Sequence, residues 1–203
     1  MPLLTASEPL ILAGLESLSD ADFAHFCVQN RELRIERYSA NDIRIMSPTF
    51  FLSSNLNALI NYQLTGWYLE HRQGRVGESN AGYQLAPKVM LSPDASWISD
   101  ERMVGLTRTQ REDEFLPACP DFVIELKSKT DRLPTLKKKM TRWLSYGVQL
   151  GWLLDPATET TYVYRAGQTA PTVVKGFGAA LSAEPELAGF ALDLSELRRE
   201  MAR

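Results

Sequence analysis

The chain has 203 residues, 44% hydrophobic and 23% charged, enough for one sizeable core and too apolar for extended disorder. A net charge of −3 excludes a globally basic nucleic-acid binder, so any phosphate contact must come from local patches. Cys27 and Cys119 lack the paired spacing of a zinc or redox site, and no apolar run approaches the ~20 residues of a membrane span.

The apolar stretch within residues 1–15 has no basic segment ahead of it and is interrupted by Glu8, unlike a secretory signal. We therefore expect a cytoplasmic protein whose residues 1–203 form a single domain, with a peripheral N-terminal segment over 1–18. Ser19-Asp20-Ala21-Asp22 predicts a helix start, because Ser or Asp side chains accept the orphan amide protons ahead of Phe23, Phe26 and Cys27. Residues 33–38 and 43–46 lean to strand and flank Ser39-Ala40-Asn41-Asp42, a turn signal, so they predict a hairpin with Glu36 on its first strand.

Leu56, Leu59, Ile60, Gln63, Leu64 and Trp67 recur at spacings of three and four, which predicts an amphipathic helix ending near Gly74. Residues 76–85 and 89–98 read as two strands separated by Pro87-Lys88, the second carrying Ser92-Pro93-Asp94. Residues 122–127, Phe-Val-Ile-Glu-Leu-Lys, read as the central strand. Leu136, Met140, Trp143 and Leu144 predict a further helix with Gly147 past its end. Strands over 148–154 and 160–164 flank Asp155-Pro156, and Asp193 with Glu196 resembles a capping box before a last short helix.

Chemistry concentrates at Pro93-Asp94 and Glu125-Leu126-Lys127. Strand alternation points Glu125 and Lys127 to one face and Leu126 to the other. Hydrolysis of a phosphodiester needs oxygen ligands for Mg²⁺ or Mn²⁺ and a cation for the charge that grows on the phosphate. Asp94, Glu125 and the carbonyl of Leu126 are the candidate metal ligands, and Lys127 is the candidate catalytic cation. A carboxylate inside such an apolar run needs a metal or a partner, so the plainer alternative is a salt bridge between Glu125 and a lysine. Asp121 and Asp155 read as turn formers beside prolines. Lys137-Lys138-Lys139 reads most simply as a solvated helix face. Trp67, Trp97, Trp143 and Trp152 read as core.

These motifs resemble the signature of the PD-(D/E)XK nuclease superfamily. Met46-Ser47-Pro48, the stretch from Ser92 to Ile98, Pro120 to Glu125, Gly151 to Pro156 and Gly189 to Asp193 are together similar to one branch, the Uma-two family of restriction endonucleases, over roughly residues 20–197. The resemblance implies an α/β (α+β) fold, a mixed central sheet flanked by helices with additional antiparallel hairpins. It implies a metal-dependent nuclease acting on DNA, with Glu36 matching an upstream acidic residue and Lys139 a lysine that recurs on the helix after the central strand. Many members lack a lysine at the position of Lys127, and many carry polar residues with a histidine where this chain has Thr49-Phe50-Phe51-Leu52-Ser53. The alternatives are a catalytically silent nucleic-acid binding or assembly module and a protein acting on RNA. A homodimer is compatible with cutting two strands.

Overall fold

The computed structural model describes residues 17–203; the expectation for 1–18 lies almost wholly outside them. In chain order the elements are α1 (Asp20–Gln29), β1 (Arg34–Ser39), β2 (Asp42–Met46), α2 (Phe51–His71), β3 (Arg75–Glu78), β4 (Tyr83–Ala86), β5 (Val89–Leu91), β6 (Ala95–Ile98), α3 (Asp100–Met103), α4 (Arg108–Glu112), β7 (Phe122–Leu126) and α5 (Leu133–Ser145). There follow β8 (Leu150–Asp155), β9 (Thr160–Arg165), β10 (Thr172–Lys175), β11 (Ala180–Ser182), β12 (Ala191–Asp193) and α6 (Leu194–Met201). No helix among the described residues is long and apolar enough to cross a membrane.

The chain divides into two compact units. Of the described residues, the first comprises 17–48, Gly82–Ser92 and Leu106–Ala118. Its sheet runs β2-β1-β5-β4 with antiparallel neighbours. The expected hairpin forms, with Ile35 opposite Ile45 and Glu36 opposite Arg44. Helix α1 opens on a capping box in which Ser19 and Asp22 satisfy each other's amides. Phe23, Ile35, Ile43 and Met90 form the core of this unit. The wholly buried Arg37 is held by the Leu18 carbonyl at 2.8 Å and by Asp20 at 3.5 Å.

The second unit comprises Thr49–Ala81, Pro93–Gly105 and Cys119–Arg203. Its six-stranded sheet runs β10-β9-β8-β7-β6-β3, and β7–β8 is the parallel pair, joined through α5. Strand alternation sorts the central strands into two faces. Phe122, Ile124, Leu126, Leu150, Trp152 and Leu154 pack with Leu56, Ile60, Leu64 and Trp67 of α2. The intervening Val123, Glu125, Gly151, Leu153 and Asp155 belong to the opposite face, which α5 covers. β11 and β12 pair as a separate ribbon. A mixed central sheet with flanking helices and antiparallel hairpins is the fold class that the motifs implied.

Several boundaries differ from the sequence reading. The run 76–85 is split into β3 and β4, which join different sheets. Glu78 accepts hydrogen bonds from the Ser79 hydroxyl and the Asn80 amide, a local turn that competes with strand pairing. The run 89–98 breaks between Leu91 and Ala95, where Pro93 brings no amide proton. Helix α2 ends at His71, with Arg72 left-handed at φ 55°. Gly74, at φ 65°, follows in a close approach, and a Cβ there would stand 2.3 Å from the Ile98 carbonyl oxygen. At the last helix Asp193 caps the Ser195 amide, while Glu196 pairs with Arg199, so the reciprocal half of the expected box is not made. Strand β10, the ribbon β11–β12 and the short α3 and α4 were not foreseen, their runs being too short for periodicity to register.

Candidate active site

Glu125 sits on β7 with 2% of its surface exposed. Helix α5 lays Lys139 and Trp143 over it, four residues apart on one helix face. The Lys139 ammonium lies 2.8 Å from Glu125 Oε1 and 3.0 Å from Oε2. The indole Nε1 of Trp143 donates to Oε1 at 2.9 Å. Lys139 is itself 5% exposed, so the expected solvated face of the Lys137-Lys138-Lys139 run is corrected. Three successive residues on a helix span roughly 200° at 3.6 residues per turn, and only Lys138 is exposed. Lys137 stacks its ammonium 4.0 Å above the Tyr162 ring. Trp143 is core, as expected, and also a donor to the buried carboxylate, which sequence reasoning missed.

Asp94 immediately precedes β6. Its amide donates to the Ile124 carbonyl at 3.0 Å. Its Oδ2 accepts from the Leu126 amide at 2.8 Å, and its own carbonyl accepts from Asn61 of α2 at 3.0 Å. The Asp94 carboxylate therefore replaces a ladder partner at the end of β7 and is fixed on the peptide that follows Glu125. Glu125 and Lys139 are paired there, and Asp94 is bound to the Leu126 amide beside them, at the carboxyl ends of the parallel pair, where open α/β sheets hold their ligands.

Lys127 follows β7 and is not paired with Glu125. Its ammonium lies 3.7 Å from Asp155 Oδ1 and 3.3 Å from the Ser128 carbonyl. Asp155 is 4% exposed at the end of β8, so its reading as a turn former gives way to that of a buried carboxylate. Asp121 also does more than form a turn: it accepts from the Ser99 amide at 2.7 Å and pairs with Arg102 at 2.6 Å. Glu36 belongs to the first unit. It is 1% exposed there and accepts from the Tyr38 hydroxyl at 2.7 Å and the Ser92 amide at 3.1 Å.

Among the described residues no group of three or more His, Cys, Asp or Glu side chains is placed to hold a metal ion. The donor chemistry nevertheless suits Mg²⁺, which binds through one or two carboxylates and keeps several waters. Asp94 and Glu125 would be such a pair, and an ion there would share Glu125 with the Lys139 ammonium.

A family model described as "Putative restriction endonuclease" (Uma2) matches residues 20–195. No curated protein matches the chain. Among solved structures, that of a putative nuclease belonging to DUF820 from Anabaena variabilis is similar, with a TM-score of 0.67 and 19% identity over 82% of this chain and 90% of the other. That degree of identity speaks for the shared fold. With the matched residues running from α1 to the start of α6, the chain belongs to the Uma2 family of restriction-endonuclease-like proteins.

Proposed function

We propose that the chain is an endonuclease that hydrolyses phosphodiester bonds in DNA with Mg²⁺ or Mn²⁺. The observation that carries this reading is the buried Glu125–Lys139 pair at the carboxyl ends of β7 and β8, with Asp94 bound to the adjoining Leu126 amide. Asp94 and Glu125, with the Leu126 carbonyl, would hold the ion. When bound, the ion supplies Lewis-acid charge at the phosphate and a more acidic water. Lys139 keeps the Glu125 carboxylate in one orientation, as does the Trp143 indole. Lys127 is the cation that neutralises charge growing on the phosphate. Exposed Lys129, Arg132 and Lys138 lie between β7 and the middle of α5, a local basic patch for the nucleic-acid backbone. Glu36 enters the proposal only through the family resemblance. The reading treats residues 1–203 as one cytoplasmic endonuclease-like domain, acting as a homodimer where both strands are cut.

A second reading is favoured by one feature. The Glu125 carboxylate is already bound by Lys139 and Trp143, as expected of a silent module that binds nucleic acid through the fold alone.

Cleavage of plasmid, single-stranded DNA and RNA in Mg²⁺ or Mn²⁺ separates the two. The wild type should cut DNA only with metal. Asp94→Asn, and the charge-paired double variant Glu125→Gln/Lys139→Met, should each lose roughly a hundredfold or more. Cutting at the wild-type rate by both variants removes these residues from the mechanism. Binding without cutting by the wild type establishes the silent module, and preference for RNA corrects the substrate.

A further inference from the structure

Asp155 is a buried carboxylate that the mechanism above leaves unused. Its Oδ1 is sealed from water and has no hydrogen-bond partner among the described residues. Burying a charge in this way is costly unless the site gains something from it. Among the described residues its ion-pair partner is Lys127, at 3.7 Å, longer than a hydrogen bond.

The register explains why these two meet. Leu126 pairs with Leu154 in the parallel ladder, and the Lys127 amide donates to the Leu154 carbonyl at 2.8 Å. The next residues, Lys127 and Asp155, are then neighbours on the α5 face, the face of Glu125. Pro156 restricts Asp155 to extended backbone, observed at φ −111° and ψ 94°, which preserves the alternation to the last residue of the strand. The Lys127 ammonium is thereby held between an acidic side chain and the Ser128 carbonyl, a long flexible stem fixed at its head.

We propose that Asp155 is a positioning residue that fixes the Lys127 ammonium for the substrate phosphate, an inference that rests on the nuclease reading. The loose 3.7 Å contact leaves Lys127 both aimed by Asp155 and able to donate to an incoming oxygen. Asp155 touches no substrate itself and acts through the lysine.

The test is a kinetic double-mutant cycle on the full chain with plasmid DNA and Mg²⁺, using Asp155→Asn, Lys127→Met and both together. Expected is a roughly ten- to hundredfold fall in kcat for each single variant, the range seen when a supporting partner is removed or a reacting group is displaced by about 1 Å. KM should change little, the double variant should be no slower than Lys127→Met, and Asp155→Glu should restore part of the rate. Multiplying losses in the double variant, or a kcat for Asp155→Asn equal to the wild type's, overturns the proposal while leaving the nuclease reading intact. Should the amide variant fail to fold, Asp155→Glu carries the same cycle: partial activity that disappears when Lys127→Met is added. Absence of cutting by the wild type removes the nuclease reading and this inference with it.

Discussion

Glu125 and Lys139 are each almost sealed from water and pair at 2.8 Å, so each charge supports the other. Removing one leaves the second buried and uncompensated, at a cost of about 3–5 kcal/mol, whereas an apolar or neutral pair of similar volume is tolerated. Lys139→Met should accordingly lower the urea unfolding free energy by that amount, and Glu125→Gln added to it should recover most of the loss. An additive double variant would show that the two charges do not support one another. The need for a partner was legible in the sequence, since a carboxylate within Phe-Val-Ile-Glu-Leu cannot stand alone. The partner was not. Alternation says that Glu125 and Lys127 share a face, but it gives no distance across layers. Lys139 reaches Glu125 from a helix, while Lys127 finds Asp155 on the next strand. The tight contact and the loose one therefore fell to different lysines than the short motif suggests.

At the scale of elements, the sequence of helix α5 carries its own burial pattern. Leu136, Lys139, Met140 and Trp143 follow the inward spacing of three and four, so the middle of the helix was bound to bury its third lysine. The split strands were harder, because Ser79 to Gly82 and Ser92 to Asp94 are short polar interruptions inside otherwise strand-like runs. The breaks come from a side-chain turn at Glu78 and from Pro93. Two close approaches make a graded stability test. At Gly151 an added Cβ would lie 2.5 Å from the Met140 Cε, the movable end of a flexible chain, and overpacking of this kind costs about 1–3 kcal/mol. At Gly74 the obstacle is a backbone carbonyl and φ is positive. Gly74→Ala should thus lower the Tm more than Gly151→Ala does; the reverse order would mean that β3 and its approach to β6 relax more readily than the packing under α5.

For the whole molecule, the charge of −3 hides a local excess of cations around 127–142. Binding to a duplex should weaken steeply as salt rises, and Lys138→Glu should make the slope of log K against log salt shallower by at least about one, in fluorescence anisotropy with labelled DNA. An unchanged slope would move the nucleic-acid face away from α5. The fold class was readable because the motifs span most of the chain, while its division into two compact units was not, because each unit gathers segments distant in sequence. The parallel pair and its crossover have one more consequence. Glu125, Lys127, Lys139, Trp143 and Asp155 all come from the continuous stretch 122–155, whereas Asp94 lies ahead of it. Chain closure over so short a separation carries a small entropic penalty, so these charges can neutralise one another early in folding, before the antiparallel strands that enclose them have found their places.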